Sequence, residues 1–363
     1  MAARIAIIGG FLGAGKTTLI NKIAMGLSAG GKTIGLIKND QGEALVDTQY
    51  SKAGGFETSE VLRGCFCCRF DDLISSAREM VSRSRPDFII AEPVGSCTDL
   101  LATVIAPLKL MCPSEFEVAP LIIVVDAPRL AQEGLDPSSL GGYLRKHQIE
   151  EAEHIVISKI DMVTRDVLLK LVEDMKTYNP QAEVIPYSAI TGHGLDKIMN
   201  VVRSEKCSDH PPVDIGYETY ARAEAELGWY NGTFCFQTMQ KVDAYELATK
   251  IIRAISLCYD PENIAHTKLM LTSDTNSLKV SAVFDNISVD TITNSRYAEG
   301  KVTVTINARV ISSPEDLRTN IRRSIFEAME STGNQTNCLK DECFSPSSPN
   351  PTHRIVMTAG VLK

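Results

Sequence analysis

Gly10-Phe11-Leu12-Gly13-Ala14-Gly15-Lys16-Thr17 stands between the apolar run Arg4–Ile8 and a helically spaced stretch, Thr17–Leu27. The octapeptide fits G-x-x-x-x-G-K-[ST], and its neighbours supply the strand and the helix that this motif requires. Glycines let the backbone curl until successive N–H groups face phosphate oxygens, and the helix N-terminus adds the positive end of its dipole. In this reading Gly10, Gly13, Ala14 and Gly15 cradle phosphates, Lys16 neutralises the β- and γ-phosphates, and Thr17 ligates Mg2+.

Further strand-length apolar runs follow at Thr33–Ile37, Phe88–Ala91, Leu121–Asp126, His154–Ser158 and Val184–Tyr187. Between them lie segments of helical spacing, including Asp71–Arg83, Thr98–Leu110 and Arg165–Thr177. Continuous rather than alternating apolar strands are expected where helices cover both faces of a parallel sheet. The pattern predicts an α/β fold, a doubly wound and mostly parallel P-loop sheet, over residues 1–203. Residues 204–216, with Cys207, His210 and two prolines, read as a linker. Residues 217–332 read as a second, smaller α+β domain: strands at Trp229–Gln237, His266–Leu271, Leu278–Phe284 and Lys301–Val310, with two helices, Ala244–Leu257 and Pro314–Met329, on one face of an antiparallel sheet. Residues 333–363, rich in Ser, Pro and Asn, read as an irregular tail carrying Cys338, Cys343 and His353.

Composition narrows the class. The 363 residues predict about two domains, and 37 Lys+Arg against 45 Asp+Glu, a formal charge of −8, argue against a broad nucleic-acid footprint. The longest apolar run, around Leu121–Val125, is strand-length, far short of the roughly 20 residues that span a bilayer. The opening Met1-Ala2-Ala3-Arg4 shows no cleavage pattern, so no signal peptide is expected and the ten cysteines are assigned to a reducing cytoplasm.

Base identity is read from Ser158-Lys159-Ile160-Asp161, an [NST]KxD loop closing a strand. The Asp161 carboxylate, an acceptor only, matches guanine N1–H and its exocyclic amine, and adenine presents the wrong pattern. The Lys159 stem can lie along the base, and Ser188-Ala189 suits a backbone N–H to guanine O6. Between these loops lie two switch candidates. Asp40, in Asn39-Asp40-Gln41-Gly42-Glu43, can reach Mg2+ or orient water; Glu92, in Glu92-Pro93-Val94-Gly95, can act on Mg2+ through water, with the Gly95 N–H sensing the γ-phosphate. No residue is assignable to positioning the attacking water, so slow hydrolysis is expected.

Gly64-Cys65-Phe66-Cys67-Cys68 places three thiols within four residues, ahead of a helix. Thiolates so placed suit a soft or borderline ion such as Zn2+, Co2+ or Cu+. Cys-x-Cys-Cys is not the paired CxxC arrangement of closed zinc sites, so an exchangeable site is expected, with Glu43 as an additional ligand. Cys97, Cys112, Cys235 and Cys258 sit in apolar segments and read as small buried hydrophobes.

Taken together, Gly10–Thr17, Gly64–Cys68, Glu92-x-x-Gly95 and Ser158-Lys159-x-Asp161 resemble the CobW-like branch of the P-loop GTPases of metallocentre assembly, the CobW/HypB/UreG class. The opening Gly9–Thr18 and the GCxCC are the most specific marks, and Thr18 joins the nucleotide-binding set on that ground. The resemblance implies low GTPase activity, GTP or GDP with Mg2+, and Zn2+ or another divalent metal (Co2+, Ni2+, Fe2+) at Cys65–Cys68. It also implies delivery of metal to, or activation of, a client metalloenzyme or corrinoid-dependent protein, and a homodimer that depends on nucleotide or metal. Three features depart from the pattern: Lys38 where many members carry a carboxylate, six scattered histidines where many have a His-rich stretch, and Glu92–Cys97 in place of Glu-[CTS]-[TS]-Gly. The leading expectation is therefore a slowly hydrolysing GTPase metallochaperone. The alternatives are a regulatory GTPase that remodels a cofactor-dependent enzyme without carrying metal, and a small-molecule kinase, against which Asp161 argues.

Overall fold

In the computed structural model, the glycine-rich octapeptide joins β1, Ala3–Gly10, to α1, Lys16–Ala29. The structure describes residues 2–43, 45–136, 139–284, 286–293, 295–330, 335–358 and 361–362. Contacts divide the chain into two units: Met1–Gln41, Phe56–Ala223 and Ser348–Lys363 form one, Gly42–Gly55 and Glu224–Ser347 the other. The expected boundary at 332/333 lies outside the described residues.

In the first unit β1 is followed by β2 (Ile34–Asn39), β3 (Glu57–Val61), α3 (Phe70–Ser84), β4 (Phe88–Glu92), α4 (Ala106–Met111), β5 (Phe116–Val118) and β6 (Ile122–Asp126). The remaining elements are α5 (Ala127–Glu133), α6 (Leu140–Glu151), β7 (His154–Ser158), α7 (Arg165–Tyr178), β8 (Glu183–Pro186) and α8 (Leu195–Arg203). Among the described residues the strands form an eight-stranded sheet ordered β3-β2-β4-β1-β6-β7-β8, with β5 also on β1. Every pairing in it is parallel. This is the doubly wound α/β fold expected from the sequence. Ile20, Ile23 and Leu27 of α1 and Ile198 and Val202 of α8 bury against Ile8, Ile90, Val124 and Val156 on one face of the sheet, and β1, β4 and β6 are buried along their whole length, on the other face too. The order reverses about β1, so the carboxyl ends of β1, β4 and β6 flank the crevice where such sheets bind ligands.

The expected helix Thr98–Leu110 begins differently. Asp99 takes a left-handed φ of 64°, and Leu101–Ile105 forms a wide π-helical turn before α4. No helix or strand interrupts the chain between Arg203 and the helix α9, Tyr217–Ala225.

The second unit is a six-stranded sheet, again among the described residues, ordered β12-β11-β10-β13-β9-β14 and antiparallel throughout. Its strands are β9 (Leu227–Asp243), β10 (Ile264–Thr272), β11 (Ser277–Val283), β12 (Asn286–Thr291), β13 (Tyr297–Ile311) and β14 (Thr336–Phe344). The helices are α10 (Ala244–Ser256), capped by Asp243 accepting from the Glu246 N–H, and α11 (Pro314–Glu330). Leu247, Ile251 and Ile255 of α10 and Leu317, Ile321 and Ile325 of α11 share one core with Leu269, Val304 and Ile306. Strand alternation puts Lys268, Thr305 and Asn307 on the opposite face. There α2, Val46–Ala53, docks: the Val46 N–H donates to Asn307 Oδ1 at 2.7 Å, and Asp47 pairs with Lys268 at 2.5 Å and Lys279 at 3.7 Å. Residues 42–55, read from sequence as part of residues 1–203, thus group by contacts with the second unit.

The expected irregular tail is corrected by β14. Thr336–Phe344 holds no proline or glycine and pairs with β9; the prolines on which that expectation rested begin at Pro346. A bulge between Cys338 and Lys340 turns both Cys338 and Cys343 towards the second core, against which they pack partly buried.

Candidate functional site

The loop after β1 is shaped by three left-handed glycines: Gly10 at φ 130°, Gly13 at 80° and Gly15 at 93°. A Cβ on Gly10 would lie 2.1 Å from the Val124 carbonyl oxygen of β6, so any side chain there collides with backbone. Gly15 caps α1 without a side-chain acceptor, and no acidic residue occupies the helix's first turn. The first N–H groups of α1 are therefore presented to an external anion. Lys16 lies buried along the loop, its Nζ donating to the Gly10 and Phe11 carbonyls at 2.7 and 3.1 Å. Thr18 follows, half-buried, in the first turn of α1.

Thr17 Oγ1 donates to Glu92 Oε1 at 2.8 Å, which brings the hydroxyl and the carboxylate predicted for Mg2+ onto one edge. The other oxygen of Glu92 accepts from Lys38 Nζ at 2.6 Å, and both side chains are buried. Lys38, a departure from the family pattern in sequence, is thus the counter-charge of Glu92. Gly95 is packed against the P-loop so closely that a Cβ would sit 2.7 Å from Leu12 Cδ2. Asp40 follows β2, its N–H donating to the Val61 carbonyl at 3.2 Å. Glu43 belongs to the second unit, where it pairs with Lys340 at 3.4 Å and its N–H donates to Glu342.

The loops expected from sequence to read the base meet the P-loop directly. Ser158 Oγ donates to the Ala14 carbonyl at 2.7 Å, and Lys159, held at φ 58°, donates to the Gly13 carbonyl at 2.9 Å and pairs with Asp126. Asp161 lies exposed in the short turn Ile160–Met162. The Ile160 N–H donates to the Tyr187 carbonyl at 3.3 Å, which ties this turn to Ser188 and Ala189 beyond β8. Asp126, which sequence reasoning missed, both caps α5 through the Arg129 N–H and anchors Lys159. Its position as the last residue of a strand beside the P-loop strand was the signal available.

The cysteine loop lies between β3 and α3. Cys65 and Cys67 are buried and Cys68 half-buried, with Sγ–Sγ separations of 2.7 Å (65–67), 3.3 Å (65–68) and 3.7 Å (67–68). They are the one group of three or more potential ligands within mutual reach among the described residues. Hydrogen bonding, first with Cys67 and then with Cys68, holds the Cys65 thiol well below its ordinary range. The same contacts raise Cys67 well above it and push Cys68 up to about 11, Cys65 being the largest cause for each. The cluster thus favours a first thiolate at Cys65 and resists a second.

Asn39, at the end of β2, was not picked out in sequence, yet it organises this loop. Its Nδ2 donates to the Val61 and Gly64 carbonyls at 2.8 and 2.7 Å, and its Oδ1 accepts from the Phe66 N–H at 2.8 Å. The chain's C-terminal segment runs over the cluster. Asn350 N–H donates to Cys68 Sγ at 3.2 Å, Thr352 N–H to the Cys67 carbonyl at 2.8 Å, and Thr352 Oγ1 to the Cys68 carbonyl at 3.0 Å. His353, carried on the same tail in sequence as Cys338 and Cys343, packs edge-on to Phe70. Arg354 Nε donates to the buried Asp99 carboxylate at 2.8 Å.

The Cys97 thiol, read from sequence as an apolar filler, is buried and also hydrogen-bonds with the thiols of Cys65 and Cys67. The correction follows from strand order. β2 lies between β3 and β4, so loops leaving β3 and β4 flank Asn39 although Cys68 and Cys97 are far apart in sequence.

No helix among the described residues is long and apolar enough to cross a membrane. A model of the CobW/HypB/UreG nucleotide-binding domain matches residues 4–186. The chain is 34% identical over 184 residues to a Sinorhizobium protein named zinc chaperone CobW, covering 43% of this chain and 51% of that one. It is 24% identical over 255 residues to zinc-regulated GTPase metalloprotein activator 1 of Dictyostelium discoideum, covering 57% and 50%. The chain spans about half the length of these curated relatives. Among solved structures, Zn(II)-bound YjiA GTPase from E. coli aligns at a TM-score of 0.38 and 18% identity, over 90% of this chain and 99% of that one. The matched family domain runs from β1 to β8 and takes in the P-loop, the cysteine triplet, Glu92 and the SKxD loop, and on that match over half its length the chain belongs to the CobW/HypB/UreG family.

Proposed function

We propose that this protein is a GTP-binding, slowly hydrolysing metallochaperone that takes a divalent metal at Cys65, Cys67 and Cys68 and delivers it to, or activates, a client metalloprotein. The observation that carries this reading is the three thiols mutually within 4.8 Å, tied by Asn39 to the end of β2 in the same unit as the P-loop. The names of the relatives, zinc chaperone and zinc-regulated GTPase metalloprotein activator, support it. Zn2+ fits the sulfur donors best, and Co2+, Ni2+ and Fe2+ are the other divalent candidates.

In this account the P-loop amides and Lys16 bind the phosphates. Asp161 reads guanine, with Lys159 against the base and Ser188 and Ala189 offering backbone donors. Thr17 and Glu92, already 2.8 Å apart, would hold Mg2+, directly and through water, with Asp40 nearby in sequence. Bound Mg2+ supplies charge neutralisation at the β- and γ-phosphates. Gly95, pressed on Leu12, would register the γ-phosphate. A reducing compartment, the cytoplasm, would keep the thiols free.

Binding titrations on the reduced full chain test the reading. GTP should bind more tightly than ATP, and Asp161→Asn should weaken GTP by about 10–100-fold, the worth of charge-assisted hydrogen bonds. Zn2+ should bind the wild type and be lost in Cys65→Ala/Cys67→Ala. Equal affinity for ATP and GTP, or zinc binding indifferent to that double substitution, would refute it.

A further inference from the structure

Cys65, Cys67 and Cys68 leave a four-coordinate ion one ligand short. We infer that Cys97 supplies the fourth thiolate, so that the ion is enclosed by Cys65, Cys67, Cys68 and Cys97. The inference rests on the metal-binding reading above and extends it to a residue of the loop that follows β4.

Three observations support the assignment. Cys97 is 1% exposed, and its thiol hydrogen-bonds with both Cys65 and Cys67, so it already touches two of the three partners that it would share. Its backbone is fixed: the Cys97 N–H donates to the Val94 carbonyl at 2.9 Å, and the buried Gln148 of α6 donates through Nε2 to the Gly95 and Cys97 carbonyls at 3.0 and 2.8 Å. A ligand needs such support from the residues behind it. Finally, Cys68, the least buried of the trio, accepts a backbone N–H from Asn350, the kind of hydrogen bond that stabilises a metal-bound thiolate.

The geometry also states what must change on binding. A tetrahedron with metal–sulfur bonds of about 2.3 Å has sulfur–sulfur edges of about 3.8 Å. The Cys65–Cys67 separation of 2.7 Å must open, and Cys97 must draw in towards the three thiols that already lie mutually within 4.8 Å. Four thiolates select an ion that accepts tetrahedral sulfur, Zn2+ or Co2+, over ions that demand octahedral oxygen.

The consequence is a short physical link between cargo and nucleotide. Cys97 lies five residues beyond Glu92, whose carboxylate accepts from the P-loop Thr17, and two beyond Gly95, which packs on Leu12. A metal held by Cys97 restrains the segment that γ-phosphate would move, and movement of that segment withdraws one of four ligands.

X-ray absorption at the zinc edge of the reduced, zinc-loaded full chain counts the sulfurs without any substitution. Four sulfurs at about 2.3 Å are expected, falling to three plus one lighter atom in Cys97→Ser, with zinc affinity lowered about tenfold or more. The same two proteins loaded with Co2+ should differ in sulfur-to-cobalt charge-transfer intensity in the ratio of four thiolates to three. Cys112→Ser, a buried thiol elsewhere in the unit, should change neither readout. Three sulfurs in the wild type, with spectra unchanged by Cys97→Ser, would overturn the role of Cys97 and leave the three-cysteine site standing. Failure of the wild type to bind either ion would overturn the metal-binding reading itself.

Discussion

At the scale of single residues, Glu92 is held between two partners of different kind. Thr17 donates to one oxygen and Lys38 to the other, and Lys38 is only 2% exposed. A buried charge with one partner removed is costly, so Lys38→Met should destabilise the fold by about 3–5 kcal/mol. Lys38→Met/Glu92→Gln should recover most of that loss, because the stranded carboxylate is then gone. Urea denaturation of both variants measures the difference; an equal loss in single and double variants would show that the ion pair is not what matters. The pair is invisible in sequence because Lys38 and Glu92 meet across neighbouring parallel strands. The P-loop, by contrast, is legible at once, because its phosphate-binding backbone is one contiguous stretch.

Among elements, the sheet's centre could be read and its β3 margin could not. Strands β1, β2, β4, β6 and β7 are buried on both faces and announce themselves as unbroken apolar runs. Three of the strands that the sequence does not reveal, β3, β12 and β14, are edge strands, with polar residues such as Glu57-Thr58-Ser59-Glu60 and no need of two apolar faces. Another, β5, is only Phe116–Val118. Missing β3 also hid its place beside β2, across from β4, and with it the approach of Cys97 to the cysteine loop.

The same scale governs α6, which supports the wide turn after β4. Glu151, fully buried at its end, accepts from the Leu101 N–H at 3.2 Å, and burial, reinforced by the charge of Asp99, pushes its carboxyl up to about 8. An acid raised in the folded state binds its proton there more tightly than in the unfolded chain, where it titrates near 4.5. Between about pH 4.5 and 8 the native state therefore holds more protons, and this group's contribution to stability falls as pH rises through that window. Glu151→Gln should flatten the fall, gaining relative stability at pH 8.5 over pH 5.5 in urea midpoints. A variant with the wild-type slope would contradict the assignment.

For the whole molecule, the central claim is that metal and nucleotide act on one set of loops. Asn39 at the end of β2 organises the cysteine loop, Glu92 contacts the P-loop, and Cys97 joins the loop beyond Glu92 to the thiol cluster. Just past Asn39 and Asp40, residues 42–55 pass into the second unit, anchored there by Asp47 on Lys268 and Lys279. Two ligands that bias the same segments must change each other's affinity, reciprocally. The most direct test is the zinc dissociation constant of the reduced full chain, measured nucleotide-free, with GDP and with a non-hydrolysable GTP analogue. The account predicts that the GDP and GTP-analogue values differ by about fivefold or more, the lower end of ordinary allosteric coupling. Identical constants in all three states would contradict it.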